Sequence, residues 1–277
     1  MKILLLGKHG LLGSALAQTL AAKHNIAAFG HDELDITNEK KVIEAVSKTN
    51  PEIAINAAGY TAVDKAETEK ELALKVNAHG PKFLAQACEQ RKIPLVHFST
   101  DYIFDGKNSA GYKETDAPSP LSVYGASKAE GEKNILENCT RVFLIRTSWL
   151  FGPSGKNFVD TMLFLAEKHE PIKVVNDQKG NPTYVFDLAQ AVLRLLETDS
   201  YGIYHIVNEG DATWFDLAKE IFHALGIPQE IISITSDQLN RPARRPANSM
   251  LRNTKLPKLR TWKQALHEYL TDKTIIA

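Results

Sequence analysis

The sequence predicts an α/β protein built on a doubly wound parallel sheet, and three observations carry that reading. Ile3-Leu4-Leu5-Leu6 is a short apolar run of the kind found in strands buried on both faces of a parallel sheet. It leads directly into Gly7, Gly10 and Gly13, spaced G-x-x-G-x-x-G, and then into a helical apolar pattern through Leu16 and Leu20. From there to Thr147, strand-like runs alternate with helical patterns, the order that builds a Rossmann-like sheet. Strand, glycine turn and helix in that order make a dinucleotide-binding start, because the glycines let a pyrophosphate approach the N–H groups of the helix N-terminus. Residues 1–150 are therefore expected to form an NAD(P)-binding Rossmann domain, joined by a returning segment near 184–200. Residues 151–277 are expected to supply most of a smaller, interleaved C-terminal α/β substrate domain.

A chain of 277 residues is long enough for a substantial core, as one large domain or two interleaved ones. Its 33 Lys+Arg balance 33 Asp+Glu, which argues against the basic surplus of a nucleic-acid binder but permits local patches for a small phosphorylated ligand. Cys88 and Cys139 lie far apart without ligand spacing and read as buried thiols in a reducing compartment. Gly7-Lys8-His9-Gly10 interrupts the N-terminal apolar run too early for a signal peptide. No run approaches the ~20 apolar residues of a membrane span. A soluble, cytoplasmic protein without membrane or nucleic-acid partners is the expectation.

The second strand, Ile26 to Phe29, should end near the ribose of a bound adenine nucleotide. It runs into Gly30-His31, with Asp32 and Glu33 just beyond, so no carboxylate stands at the strand end. Lys8 and His31 nearby favour NADPH, NADH being the other donor, unless both are solvated surface. Glu39 to Lys48 reads as a helix and Glu52 to Ile55 as a strand, followed by small residues at Asn56-Ala57-Ala58-Gly59. Asp64 to Arg91 reads as one long helix whose charge cluster, Asp64 to Glu71, is a solvated face. Asn77 within it belongs either to a polar network or to the surface. The strand Leu95–Phe98 brings Thr100 to the carboxyl end of the sheet, where ligands of doubly wound folds bind. After a Gly- and Pro-rich loop, Ser122 caps a helix carrying Tyr124 and Lys128, and Arg141 to Thr147 is a further strand. The second half offers a helix at Phe158 to Lys168, a strand at Ile172 to Val175 and an apolar helix at Val185 to Leu196. A strand at Ile203 to Val207, a helix capped by Thr213 with Asp216 three residues on, and a terminal helix at Thr261 to Leu270 complete it.

The chemistry is expected between Ser99 and Lys128. A phenol and an ammonium four residues apart share one helix face. Hydride delivery to a ketone builds charge on oxygen, so a proton donor must lie in reach, and a nearby ammonium lowers the pKa of a phenol from ~10. Lys128 supplies that charge and can hold the nicotinamide ribose, and Thr100 can position the carbonyl. Trp149 either packs on a sugar or base or fills the gap between domains. Arg241, Arg244 and Arg245 suit a nucleotide diphosphate through bidentate contacts, or else form a solvated loop or an ion-pair network.

Together these residues resemble the extended short-chain dehydrogenase/reductase family. The resemblance rests on Gly7 to Gly13, Asp35-Ile36, Asn56 to Glu67, Ser99-Thr100-Asp101-Tyr102-Ile103-Phe104, Tyr124 to Lys128, Arg146-Thr147-Ser148-Trp149 and Arg244 to Ser249, in the family's order over almost the whole chain. It implies that Thr100, Tyr124 and Lys128 are the catalytic set. It implies dinucleotide contacts at Gly10, Leu11, Leu12, Asp35, Ile36, Gly59, Tyr60 and Thr61, and sugar-nucleotide contacts at Thr100, Asp101, Tyr124 and Trp149. The implied reaction is NADPH-dependent reduction of the 4-keto group of a deoxysugar nucleotide, dTDP-4-dehydro-L-rhamnose giving dTDP-L-rhamnose. Another 4-keto-6-deoxysugar nucleotide is an alternative substrate, and a non-enzymatic dinucleotide-binding regulatory subunit is an alternative class. Some family members dimerise through magnesium held by glutamates, one of them just after the glycine motif. Ala15 stands there in this chain, so no metal site is expected, and monomer and homodimer both remain open.

Overall fold

The buried N-terminal run forms β1 (Lys2–Leu6), which sits inside a six-stranded sheet. This computed structural model describes residues 1–276. The chain continues through α1 (Leu11–Ala21), β2 (Asn25–Phe29), α2 (Glu39–Thr49) and β3 (Ile53–Asn56). Then come α3 (Val63–Ala66), α4 (Lys70–Leu74), α5 (Gly80–Gln90), β4 (Leu95–Thr100), α6 (Val123–Asn138) and β5 (Val142–Thr147). Each pairing is parallel, in the order β2-β1-β3-β4-β5, so the chain reverses direction across the sheet between β1 and β3. The crevice at such a reversal, beyond the carboxyl ends of the strands, is where doubly wound folds take ligands.

The second half adds β6 (Leu150–Phe151), α7 (Phe158–Ala166), β7 (Ile172–Val175), β8 (Lys179–Gly180), β9 (Thr183–Tyr184) and α8 (Val185–Leu195). It ends with β10 (Gly202–His205), β11 (Ala212–Thr213), α9 (Trp214–Leu225), β12 (Ile231–Ile234), α10 (Ser236–Leu239) and α11 (Trp262–Ile276). The strand β10 extends the main sheet beside β5, and α8 packs with α1 against one face. On the other face α2, α5 and α6 bury a second apolar layer that includes Cys88 and Cys139. A third core gathers α7, α9 and α11 around Phe151, Tyr184 and Tyr269. The fold is thus a Rossmann-like α/β sheet with a smaller interleaved α/β unit. Among the described residues, no helix is long and apolar enough to cross a membrane.

Helix starts follow local chemistry. Ser122 Oγ accepts from Gly125 N–H at the start of α6, and Thr213 and Asp216 form a reciprocal capping box at α9. The expected long helix over Asp64–Arg91 is instead broken after Ala66 and again by a π-helical turn at Lys75–His79. The break has a tertiary cause. A Cβ on Gly131 of α6 would lie 2.1 Å from Asn77 O, so the two backbones meet there without side chains between them. The acidic cluster is solvated at Lys65, Glu69, Lys70 and Glu71, as expected, but its carboxylates also take fixed partners. Asp64 pairs with Arg245, Glu67 accepts from Val123 N–H at the start of α6, and Glu69 accepts from the Tyr60 hydroxyl.

Candidate active site

The cradle forms where β1 meets the loop after β3. Gly7 has φ +87°, and a Cβ there would lie 2.6 Å from Ala58 N, so only glycine lets the two loops touch. Gly13 packs beneath it, where a Cβ would meet Gly7 O at 2.0 Å. Gly10 caps α1 without a side-chain hydrogen bond, and the first turn of α1 carries no acidic residue. That leaves the positive end of the helix open to an anion. A cavity of about 350 Å³ runs past Gly7, Gly10, Gly30, His31, Ile36, Gly59 and Tyr60. A second, of about 570 Å³, holds Leu11, Leu12, Thr61, Thr100, Asp101, Tyr124, Lys128 and Trp149. His9, Gly10 and Ala57 to Gly59 line both, so the two form one elongated trough. Thr147 Oγ1 and Trp149 Nε1 are buried polar atoms without a partner, and both residues line the second cavity. A glycine cradle, an open helix end and waiting polar atoms along an elongated trough fit a dinucleotide with a substrate beside it.

Two expected cofactor residues stand outside the trough walls. Gly13 is buried under Gly7, and Asp35 accepts hydrogen bonds from the backbone and hydroxyl of Thr37. The end of β2 does carry a carboxylate. Glu33 folds back to accept from Gly30 N–H at 2.8 Å and pairs with Lys8 at 2.6 Å, so Lys8 is not a free cation. Asn77 belongs to a buried network, bonding both the N–H and the carbonyl of Tyr60 and also Ser127 Oγ. It ties the loop after β3 to the turn of α6 between Tyr124 and Lys128.

At the carboxyl end of β4, Thr100 Oγ1 donates to Asp101 at 3.0 Å and faces the Tyr124 phenol. Tyr102 meets Tyr124 edge-on at 5.9 Å between centroids. Burial pushes the Tyr124 hydroxyl up to about 12, with the Thr100 hydrogen bond opposing and the Asp101 charge adding. Burial likewise brings Lys128 down to about 8, Glu132 opposing it. The sequence-based expectation of a phenol lowered by Lys128 is therefore not met here. Lys128 Nζ donates to Phe98 O at 2.6 Å and faces His97, rather than bonding the phenol. Burial also raises Asp101 to about 6, against the hydrogen bonds from Ser249 and Thr100.

Trp149 serves as a wall between the two halves. It adopts φ +48°, a sterically costly conformation for a bulky residue, and stacks on Trp214 at 3.6 Å. Gly180 makes room beneath it, since a Cβ there would lie 2.5 Å from the indole. Beyond Tyr102, a third cavity of about 380 Å³ is lined by Trp214, Gln178, Lys173, Arg241 and Arg245. Arg245 forms a bidentate pair with Asp64 at 2.9 and 2.8 Å, and Arg241 approaches the same carboxylate at 3.5 Å. Arg244, the arginine expected at the substrate, is exposed and lines none of these three cavities. Sequence reasoning also missed Ser249, which bonds Asp101, and His97; the signal for His97 was a polar ring within an apolar strand.

A phenol set beside a dinucleotide cradle defines a nicotinamide-dependent oxidoreductase of the short-chain type. More narrowly, the chain belongs to the RmlD substrate binding domain family, whose family model matches residues 1–275. It is 41% identical over 270 residues to the dTDP-4-dehydrorhamnose reductase of Aggregatibacter actinomycetemcomitans, covering 92% of each chain. It is 40% identical over 281 residues to a probable dTDP-4,6-dihydroxy-2-methyloxan-3-one 4-ketoreductase of Streptomyces antibioticus, with 98% of this chain and 95% of that one covered. The crystal structure of dTDP-4-dehydrorhamnose reductase from Bacillus anthracis in complex with NADP superimposes with a TM-score of 0.96 at 36% identity, covering 98% of this chain and 99% of that one.

Proposed function

We propose that this protein reduces the 4-keto group of dTDP-4-dehydro-L-rhamnose with NADPH, giving dTDP-L-rhamnose. The observation that carries the reading is the shared trough: Thr100, Tyr124 and Lys128 line the same cavity as Gly10, Leu11 and Leu12 at the open end of α1. When bound, the reduced nicotinamide supplies the hydride. Tyr124 supplies the proton to the developing oxyanion, Thr100 orients the carbonyl by a hydrogen bond, and Lys128 holds the nicotinamide ribose and supports the phenolate. The first turn of α1 and the loop from Gly59 to Thr61 cradle the dinucleotide, with His31, Asp35 and Ile36 around the adenosine end. Asp101 and Trp149 contact the sugar. Arg241 and Arg245, rather than Arg244, fit the nucleotide diphosphate through their place in the third cavity. Residues 1–150 with the returning 184–200 segment act as the nucleotide-binding domain, and 151–277 mainly as the substrate domain.

A second reading, reduction of a different 4-keto-6-deoxysugar nucleotide, is favoured by the name of the Streptomyces antibioticus relative. A substrate panel separates the two. The test of the main reading is loss of reduced-nicotinamide absorbance with NADPH and the keto-sugar nucleotide. Tyr124→Phe is expected to lower kcat by ~10²–10⁴-fold, the usual contribution of a positioned proton donor. Wild-type turnover by that variant overturns the reading.

A further inference from the structure

His97 lies in β4 with no exposed surface, in register with Asn56 of β3 and Leu144 of β5. Its ring nitrogens have one partner each. Asn56 Nδ2 is 3.0 Å from Nδ1, and Lys128 Nζ is 3.4 Å from Nε2. Which nitrogen bears the proton is decided outside the ring. The Ala58 N–H can only donate, and it donates to Asn56 Oδ1 at 3.1 Å. That fixes the amide with its NH₂ group towards His97, so Nδ1 must accept. Burial, with the Lys128 charge adding, holds His97 far below its ordinary value, and the ring is neutral. A neutral imidazole has one N–H. It therefore stands on Nε2, aimed at Lys128 Nζ. An ammonium has donors only, whereas an amine has a lone pair to receive that N–H. The other contact of the amine, Phe98 O at 2.6 Å, accepts an N–H from either form.

We propose that His97 is a positioning residue of the reduction: its Nε2–H, oriented from the cofactor loop through Ala58 and Asn56, offers Lys128 Nζ no acceptor on that side and so eases the loss of a proton from the ammonium. The catalytic consequence rests on the reductase reading. After Tyr124 gives its proton to the substrate oxygen, an ammonium at Lys128 passes one proton to the phenolate. The amine so formed accepts from His97 Nε2–H, and a proton from solvent restores the ammonium. The titratable and charged groups around the amine come from three elements. His97 belongs to β4, with Asp101 just past its end; Tyr124 and Glu132 share α6; and Arg146 of β5 holds Glu132.

Two measurements test this. In ¹⁵N-labelled wild-type protein near pH 7 without ligand, two-bond ¹H–¹⁵N correlations of the His97 ring, assigned through its space neighbours, are expected to show the Nε2–H tautomer. An Nδ1–H tautomer overturns the proposal whatever the enzyme turns over. In Asn56→Asp, the carboxylate can accept from both Ala58 N–H and Nδ1–H, which turns the Nε2 lone pair towards Lys128. The basic limb of the kcat/KM profile is then expected to move up by about one pH unit or more. A switched tautomer with an unmoved limb overturns the proposal, since a merely structural histidine would lower activity evenly across pH. Complete absence of turnover in the wild type speaks against the reductase reading alone, because the ring spectrum still decides the tautomer.

Discussion

Replacing Glu132 by glutamine is a severe test of how the site is held. Glu132 of α6 and Arg146 of β5 are each only 3% exposed at their side chains. Arg146 Nε donates to Glu132 Oε1 at 3.0 Å and Nη2 to Oε2 at 2.8 Å, a bidentate pair. The remaining Nη1 reaches Glu114 O at 3.4 Å, and the guanidinium lies over the Phe104 ring. With charge centres about 4 Å apart and an effective dielectric constant near 20, the attraction is about 4 kcal/mol. Glutamine keeps the shape and one acceptor but leaves the guanidinium buried without its counter-charge. The expected loss is ~3–5 kcal/mol, the range for breaking one side of a buried pair. For a chain of this size that is a fall in Tm of roughly 5–9 °C. Urea and thermal unfolding of Glu132→Gln measure it, and the double variant Glu132→Leu with Arg146→Met is expected to recover most of the loss. A loss below about 1 kcal/mol in the single variant, or no recovery in the double, refutes the argument that the charges depend on each other.

Two further outcomes follow from the geometry. Asp101, fully buried, has its carboxyl raised to about 6 from an unfolded value of ~3.9, so the native state favours the protonated form. The stabilisation that this proton brings is present below pH ~3.9 and lost as pH rises through 6, a change of up to about 3 kcal/mol. Asp101→Asn should therefore gain stability relative to wild type between pH 4 and pH 7 in melting experiments, and a difference independent of pH argues that Asp101 is ionised at no cost. Gly131→Ala should lose ~1–3 kcal/mol in the same experiments, because the new Cβ would sit 2.1 Å from the Asn77 carbonyl oxygen, a backbone atom. Ordinary helix propensity alone would make that substitution stabilising, so the sign of the change is the readout.

The sequence made visible what is governed by near neighbours. Lys2 to Ala21 announced β1, the glycine turn and α1 because each depends on residues within a few positions, and Ser122 and Thr213 announced their helices for the same reason. What escaped was set by contacts across the chain. The π-turn around Asn77 exists because α6 crosses it at Gly131, and no period in the sequence between 64 and 91 reports a helix more than fifty positions away. The pairing of Asp64 with Arg245 spans 181 positions, so Asp64 looked like solvated charge and Arg245 stayed open between a diphosphate contact, a solvated loop and an ion-pair network. Glu33 reached the end of β2 through a turn, which the strand pattern could not show. Strands of two residues such as β6 and β9 are too short for any alternation to register. Of the candidate site, the positions of Thr100 and Tyr124 were legible, but the direction of the Lys128 side chain was not, because it depends on His97 and Phe98 in another element.

That direction bears on the proposed reduction, in which Tyr124 is the proton donor. A phenol pushed up to about 12 is protonated in nearly every molecule at neutral pH, the state a proton donor requires and a proton acceptor does not. Its acidity is matched poorly to bulk water, yet the oxygen it serves becomes an alkoxide as hydride arrives, and an alkoxide is more basic than a phenolate. Transfer is then downhill only once reduction is under way, so the donor stays silent until charge develops. The remaining difficulty is the phenolate left behind, half-buried beside the carboxyl of Asp101. An ammonium within the same cavity is the group able to discharge it, and Lys128, brought down to about 8, loses a proton far more readily than an exposed lysine. Burial thus acts on the two groups in opposite senses, keeping the phenol protonated and neutral and loosening the proton of the ammonium. On the proposed reading the pair suits reduction, with a proton passing from the ammonium to the phenolate after the substrate has taken the first.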